Sequence, residues 1–284
     1  MHFKKSVVAA AFLFSITGIG SASADAWGLS KPIQEGPMLI TKTNPIRAAD
    51  NSVGIAATGT LMNYQENITP GPSDIESGWM PGFAVSGSYL NHQNVYLALR
   101  YAYDSGSIQY LGADIGSGNK VTATDNATTQ RLLGRIGYAF WLNPSMSVTP
   151  YAAAGFQSWN RDLTGPGGYT EDYRSILAGV GGRFQYAYGP RLVLTANAEM
   201  LAVTGGGMTP HLDNLPLGSA RFGTSGEEKI ALGANYRISG PWSVFGGLDF
   251  THFNYTGGAL KYGFSEPSSS TNRFGMDLGV AYHF

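Results

Sequence analysis

The sequence contains no cysteine among its 284 residues. Disulfide bonds, thiolate metal sites and cysteine nucleophiles are therefore excluded together. Charged residues are also scarce, because Asp, Glu, Lys and Arg make up 13% of the chain, whereas a soluble domain usually carries about a quarter. The net charge is −1 and no basic run is present, so the chain lacks the electrostatic footprint of a nucleic-acid-binding protein.

Long apolar stretches are missing after the first two dozen residues. A helix that crosses a bilayer needs about 20 consecutive apolar residues, and no later stretch reaches that length. The hydrophobic content of 43% and the 39 glycines suit two classes of protein. One is a soluble, glycine-rich all-β protein, and the other is a membrane barrel whose strands alternate apolar and polar residues.

The N-terminus has the pattern of a secretory signal peptide. Lys4 and Lys5 form a short positive region, and residues 6–19 are apolar or small. Ala22-Ser23-Ala24 has the small-x-small pattern of a signal peptidase site, and Ala24-Asp25-Ala26 is a second candidate. The apolar run is too short for a membrane anchor and lacks a following charge cluster, so we predict cleavage after Ala24.

The C-terminal strand carries the sharpest pattern in the chain. From Phe274 to Phe284 every second residue is large and apolar, and the residues between them are small or polar. Strict alternation places one apolar face on a β-strand. Asp277-x-Gly279-x-x-Tyr282-x-Phe284 resembles the C-terminal assembly signal of bacterial outer-membrane proteins, which is a polar residue, a glycine and two aromatics. The resemblance implies two partners, the outer-membrane lipid and the outer-membrane assembly machinery.

Segments with the same alternation recur and predict ten strands, with eight as the alternative. They cover approximately residues 53–64, 79–90, 95–103, 132–142, 148–159, 176–188, 192–203, 229–238, 242–255 and 274–284. Short turns alternate with long connections, which cover residues 65–77, 105–127, 160–171, 205–226 and 256–271. Short periplasmic turns, long external loops and an even strand number are typical of outer-membrane barrels. We therefore expect an all-β fold, a single transmembrane antiparallel up-and-down β-barrel with five long external loops.

This reading divides the chain into three parts. Residues 1–24 are the predicted signal peptide, residues 25–50 a periplasmic tail or plug segment, and residues 51–284 the outer-membrane barrel. Pro150 lies inside one predicted strand, where it has no N–H to donate to the ladder. A β-bulge, or a different strand register, is expected there.

The polar face of the strands carries charges that must point into the barrel, because a Lys or Arg on the lipid side costs roughly 2–4 kcal/mol at the bilayer midplane. The predicted interior charges are Arg100, Arg135, Arg183, Glu199, Lys229, Arg237, Asp249 and Asp277, together with Arg131 and Arg273. Two interpretations remain open. The charges line a pore, whose surplus of arginine predicts anion preference, or they form internal ion pairs that fill a narrow barrel.

The polar residues of the long loops include candidates for the catalytic groups of barrel enzymes. Barrels of the omptin protease family use a loop Asp-x-His couple opposite a pair of aspartates. This chain has His211-Leu212-Asp213 in the reversed order, the second loop offers Asp114 and Asp125 without a close acidic pair, and Asp74-x-Glu76 lies in the first loop. The omptin motif is therefore not met.

A second couple, Asp249 with His252, is three residues apart, so the two side chains point to opposite faces of a strand. His252-x-Asn254 resembles the His-x-Ser of barrel lipid A deacylases only faintly, because the serine is missing. Neither a Gly-x-Ser-x-Gly elbow nor a His-Glu-x-x-His motif is present. No catalytic residue, metal ligand or cofactor is predicted.

Overall, residues 53–284 resemble the broad superfamily of small opacity-protein, OmpA-like and omptin-like barrels. The resemblance implies an outer-membrane location and a structural or surface-contact role, with an external ligand bound through the loops as one form of it. The alternatives are a narrow anion-preferring channel and an omptin-like or lipid-modifying barrel enzyme.

Overall fold

The computed structural model describes residues 44–68, 74–113, 118–165, 167–212 and 215–284, and nearly all of its secondary structure is β-strand. The elements are α1 (Pro45–Asp50), β1 (Ser52–Glu66), β2 (Ile75–Leu90), β3 (Val95–Ala113), β4 (Lys120–Tyr138), β5 (Phe140–Asn143), β6 (Met146–Asp162), β7 (Thr170–Tyr188), β8 (Leu192–His211), β9 (Ala220–Arg221), β10 (Ser225–Ser239), β11 (Trp242–Tyr255), β12 (Gly258–Ala259), β13 (Ser265–Glu266) and β14 (Ser269–His283).

Ten long strands close into one antiparallel barrel. β1 pairs with β2, the order continues through β3, β4, β6, β7, β8, β10, β11 and β14, and β14 returns to β1 over fifteen residue pairs from Ser52↔His283 to Glu66↔Ser269. β5 continues the line of β4, β9 adds two residues beside β8, and β12 and β13 form a small hairpin in the fifth long loop. The predicted ten-stranded barrel is confirmed, and the alternative of eight strands is wrong.

Pro150 of β6 lies opposite the break between β4 and β5, where the ladder on that side of β6 is interrupted. Gly137 pairs with Tyr151 and Phe140 pairs with Val148, so two residues separate the pairs on each strand and the register is unchanged. The expected bulge at Pro150 is therefore wrong. The proline is accommodated because the facing strand gives up its pairing there, and the Ala139 N–H donates to the carbonyl of Asn94 instead.

An apolar belt surrounds the outside of the barrel. Its side chains are exposed, for example Leu278 at 70% and Leu248 at 63%. A continuous exposed apolar surface of this kind is stable only when an apolar phase covers it. The belt ends toward the long loops at Leu61, Trp79 and Phe274, so hydrocarbon covers the barrel up to that level.

Above the belt, toward the long loops, the outward side chains become polar while the strands continue. β3 reaches Ala113 and β4 begins at Lys120, so most of the predicted loop 105–127 is strand. Outer-membrane barrels place short turns at the periplasmic end and long loops at the external end. The barrel therefore has a membrane-spanning part and an external part that stands above the bilayer. No helix of the described residues is long and apolar enough to cross a membrane.

α1 lies in the periplasmic mouth of the barrel. It occupies the last residues of the predicted tail or plug segment 25–50, and its Ile46 is fully buried against Ala187 and Val193. Asn44 caps the helix, because its side chain accepts a hydrogen bond of 2.9 Å from the Ile46 N–H. Residues 1–43, with the predicted signal peptide and cleavage site, lie outside the described residues.

Candidate functional site in the barrel interior

The interior of the barrel is divided into successive layers between its two ends. From the periplasmic end these are α1, a polar cavity of about 310 Å³ that we call the lower cavity, a layer of ion pairs, a layer of aromatic rings, and a group of carboxyl side chains around Arg161. These layers contain the charges that the sequence predicts for the lumen. Their contacts decide between a pore and a filled barrel.

α1 is held in the mouth by polar contacts to four separate parts of the barrel wall. Arg47 donates to the carbonyls of Leu90 and Asn91 and, at 2.8 Å, to the side chain of Asn94. His283 Nδ1 donates to the Ala48 carbonyl at 2.6 Å. The remaining contacts are Asp50 with Arg183 and Gln185, and Asn44 with the Pro144 carbonyl. Charge-assisted hydrogen bonds of this kind are stronger than neutral ones, so the cap is firmly docked.

The predicted interior charges line the lower cavity and the ion-pair layer, and nearly all of them are paired. Arg135 Nε lies 2.7 Å from Glu199, Arg100 lies 2.9 Å from Asp277, and Lys229 Nζ lies 3.1 Å from Asp249. The other pairs are Arg183 with Asp50, Arg131 with Glu227 and Arg273 with Asp104. Each cation in this set has its own carboxylate.

The arginine surplus predicted from the sequence is therefore not present in these layers. Three carboxylates neutralise inward arginines without having been predicted from the sequence, namely Asp50, Asp104 and Glu227. Two of them were accessible to sequence reasoning, because Asp104 is four residues after Arg100 and Glu227 is two residues before Lys229, and even spacings share a face of a strand. Arg237 faces the periplasmic end and forms no ion pair with any described residue.

A layer of aromatic rings crosses the lumen above the ion pairs. Tyr64 of β1 and Trp159 of β6 have ring centroids 4.9 Å apart, and Trp159 stacks on Tyr173 of β7 at the same distance. Tyr173 lies 5.7 Å from Tyr255 of β11, which lies 5.3 Å from Phe222. The strands that contribute these rings lie around the barrel, so their side chains meet across the lumen and fill it. Met62, Met80 and Met208 complete the layer.

Beyond the aromatic layer lies a group of side chains that we call the acidic cluster. Four carboxyl groups lie within 4 Å of the guanidinium of Arg161, namely those of Glu66, Asp74, Glu76 and Glu171. The Tyr173 hydroxyl lies within hydrogen-bond distance of both Glu171, at 3.0 Å, and Glu266, at 2.6 Å, and Asp125 lies beside Glu76. The cluster thus brings six carboxyl groups around one guanidinium.

The acidic cluster lies in the external part of the barrel, above the apolar belt. Burial raises the pKa of Glu66 to about 7, although Arg161 opposes the shift. Burial likewise raises the pKa of Glu266 to about 9, with repulsion from Glu171 and Glu66 adding to it. One guanidinium cannot neutralise six carboxylates in a buried site, so part of the cluster holds protons instead.

The histidines considered for catalysis lie on the outer surface, away from the buried carboxyls. His211 Nε2 lies 3.0 Å from Asp172 Oδ2. Asp172 faces outward, because the residues before and after it on β7 face inward. A hydrogen bond from Asn160, followed by one from His211, lowers the pKa of Asp172. Asp114 and Asp213 lie outside the described residues. The described residues therefore do not bring His211 to the buried carboxyls Asp125 and Glu76.

The second predicted couple is also separated. Asp249 faces the lumen and pairs with Lys229, whereas His252 faces outward, where its Nδ1 lies 2.8 Å from the side chain of Asn272. This matches the opposite faces expected from their spacing of three residues. His252 is a rim histidine just above the apolar belt.

The residues of the predicted assembly signal lie on β14 at the seam with β1. Gly279 pairs with Ala56, and a methyl group on Gly279 would lie 2.3 Å from the Ile55 carbonyl oxygen. Tyr282 and Phe284 are exposed at the periplasmic edge of the belt, and the Phe284 N–H donates to the Asn51 carbonyl. Recognition of this strand by the assembly machinery stays a prediction.

The fold is similar to that of a solved outer-membrane protease. Outer membrane protease OmpT from Escherichia coli is 10% identical, with a TM-score of 0.55 over 83% of this chain and 98% of that one. Neisserial surface protein A is 10% identical, with a TM-score of 0.35 over 82% and 97% of the two chains. Ail from Yersinia pestis is 11% identical, with a TM-score of 0.34 over 83% and 99%.

No protein-family model matches the chain, and no curated protein matches it in sequence. At these identities the structural similarity concerns the fold alone. The closed ten-stranded barrel, the exposed apolar belt and the similarity to OmpT agree with one another. The chain has the fold of a small outer-membrane β-barrel.

Proposed function

We propose that the protein is a non-conducting, non-enzymatic barrel that anchors an external contact surface in the outer membrane. One observation carries the proposal: the lumen is filled by the aromatic layer, above ion pairs that leave the inward arginines of the lower cavity neutralised. A channel needs a continuous water-filled path and an excess of one charge to select an ion. In the described interior the aromatic layer interrupts such a path, the charges of the lower cavity are balanced, and α1 lies in the periplasmic mouth.

The size of the barrel supports the same proposal. Barrels of about eight strands are filled by their own side chains, whereas porins with open channels have about 16–18 strands. With ten strands, this barrel retains a polar lower cavity of about 310 Å³ but no passage through the rings of Tyr64, Trp159 and Tyr173. Its external part, which stands above the belt, is then the surface available for contact.

Single-channel recording tests this proposal. The mature chain is refolded into a planar bilayer, and its folding is checked by the difference in gel migration between unheated and boiled samples. We expect no discrete current steps from the folded protein. Anion-selective steps that change when Arg100 is replaced by Gln, and not when the outward-facing Arg174 is replaced by Gln, would instead establish the channel.

A second variant checks which layers close the lumen. Replacing Trp159 and Tyr173 by Ala, together with Ile46→Ala and Arg47→Ala, removes the centre of the aromatic layer and the anchors of α1. If these layers are the barriers, the folded variant shows current steps where the parent protein is silent. A parent protein that conducts as well as the variant contradicts the proposal.

A further inference from the structure

A cavity of about 240 Å³ lies at the external end of the barrel, and we call it the apical pocket. β3 and β4 supply one wall of it, and the connection between β6 and β7 supplies the other. Its lining includes Tyr110, Val121, Ala123, Leu163, Tyr169 and Leu212. Two phenol rings and four aliphatic side chains make a pocket for the apolar or aromatic body of a small molecule.

The apical pocket is built directly on the acidic cluster. The Tyr110 hydroxyl donates to Asp74 at 2.7 Å, so a residue of the pocket wall is bonded to a carboxyl of the cluster. In the strand register Glu76 faces Tyr110, and Tyr110 faces Ala123. Asp125 is the next inward residue of β4 after Ala123 and bridges to Leu163 of the opposite wall. The carboxyl groups therefore lie immediately beneath the pocket.

The cluster also lacks the positive charge that its carboxyl groups call for. Glu76 and Asp125 are fully buried, and their carboxyl groups hydrogen-bond to each other. Two carboxyl groups can do this only if one of them holds a proton, so cations alone do not neutralise this pair. Arg161, the guanidinium at the centre, already serves four carboxyl groups within 4 Å. The negative potential left over extends into the low-dielectric pocket next to it.

We propose that the apical pocket binds a small organic cation that has an aromatic or apolar body. The apolar walls and the rings of Tyr110 and Tyr169 take up the body, while the ammonium group is attracted by the carboxyl groups beneath. The raised pKa of Glu66 supports this assignment, because it shows the cluster holding protons where it lacks cations. Binding at the apical pocket does not depend on whether the lumen conducts ions.

Calorimetric titration of the folded full chain with phenethylammonium tests the proposal. We expect a dissociation constant of about 1 mM or below. 2-Phenylethanol, which has the same size and no charge, and phenylacetate, which has the opposite charge, should bind at least tenfold more weakly. Equal binding of 2-phenylethanol would overturn the cation assignment, because the pocket would then select for the apolar body alone.

Two tryptophan variants locate the binding. Ala123→Trp fills the apical pocket and should weaken phenethylammonium binding at least tenfold. Thr122→Trp places the same side chain on the neighbouring residue, which points to the other face of β4, and should leave binding within twofold of the parent. Binding that survives in the Ala123→Trp variant would show that the ligand sits elsewhere, in the detergent or on the belt.

A third variant tests the role of the carboxyl groups. Asp74→Asn removes one negative charge from the cluster without changing the pocket volume, and gel migration checks that the variant is folded. It should weaken phenethylammonium binding several-fold and leave 2-phenylethanol unaffected. Binding of the cation should also release protons, seen as a titration heat that depends on the ionisation enthalpy of the buffer. A heat that is independent of the buffer, with unchanged binding in Asp74→Asn, would contradict the proposal.

Discussion

At the scale of the single residue, Gly279 shows why a strand position can require the absence of a side chain. A methyl group there would lie 2.3 Å from the Ile55 carbonyl oxygen and 2.8 Å from the Ala56 side chain, at the seam that closes the barrel. Since overpacking of this kind costs about 1–3 kcal/mol, Gly279→Ala should lower the free energy of unfolding by that amount. Urea unfolding in lipid vesicles measures it.

Gly182 supplies the matched control for this prediction. It is also a strand glycine, but a methyl group there meets no atom within 4 Å. Gly182→Ala should therefore change the free energy of unfolding by less than about 0.5 kcal/mol. Equal effects of the two substitutions would show that the loss of glycine itself, and not the contact with β1, decides the cost.

The sequence predicts which side chains of a membrane strand face the lumen, because lipid on one side of the strand requires apolar and polar residues to alternate. Arg100, Arg135 and Lys229 face the lumen, since the other face of their strands touches hydrocarbon. Their partners were predictable only in part, because the partner usually stands on another strand. Arg135 and Glu199, for example, are separated by 64 residues and meet only when the barrel closes.

At the scale of the element, the docking of α1 requires a closed barrel, because α1 contacts both the β2–β3 turn and His283 of the last strand. Replacing Ile46 and Arg47 by Ala removes a buried side chain and several charge-assisted hydrogen bonds. We expect α1 to leave the mouth in this variant. A cysteine at Ala231, which lines the lower cavity, should then react with a charged thiol reagent at least tenfold faster.

The chain has no native cysteine, so the introduced thiol is the only one labelled. His92→Ala, an exposed change in the same β2–β3 turn, should leave the labelling rate of the Ala231→Cys protein unchanged. Fast labelling in the otherwise native protein would mean that the lower cavity is already open to the periplasmic side, and that α1 does not close it.

The strands themselves were predictable up to the edge of the bilayer and not beyond it. The alternation that marks a membrane strand needs an apolar outward face, and above Leu61 and Phe274 the outward side chains are polar. The external extensions of β3 and β4 therefore looked like a loop. Glu66, Arg161 and Glu171 were missed for the same reason, although they form the centre of the acidic cluster.

At the scale of the whole molecule, the acidic cluster connects four of the five external hairpins. Glu66 and Glu76 belong to the first, Asp125 to the second, Arg161 and Glu171 to the third, and Glu266 to the fifth. The protonation state of the carboxyl groups around Arg161 therefore affects these four hairpins together. This coupling predicts how the stability of the barrel depends on pH.

The sign follows from the direction of the pKa shifts. In the unfolded chain a glutamate titrates at about 4.3, whereas burial raises the pKa of Glu66 to about 7 and that of Glu266 to about 9. Their contribution to stability is complete below about pH 4.3 and is lost as the pH rises through the folded-state values. The free energy of unfolding should thus fall between pH 5 and pH 9, by up to about 1.4 kcal/mol per pH unit for each proton involved.

Urea unfolding of the vesicle-embedded protein at pH 5, 7 and 9 measures this slope, and Glu66→Gln isolates one contributor. The amide of glutamine does not titrate, but it meets the same neighbours as the protonated carboxyl, which are Tyr64, Asp74, Arg161 and Glu171. The variant should therefore lose less stability than the parent between pH 5 and 7, whereas Glu228→Gln, at an exposed outward position, should keep the parental slope. A parental slope retained in Glu66→Gln, or stability that rises with pH, would mean that Glu66 is already ionised in the folded barrel and that Arg161 outweighs its burial.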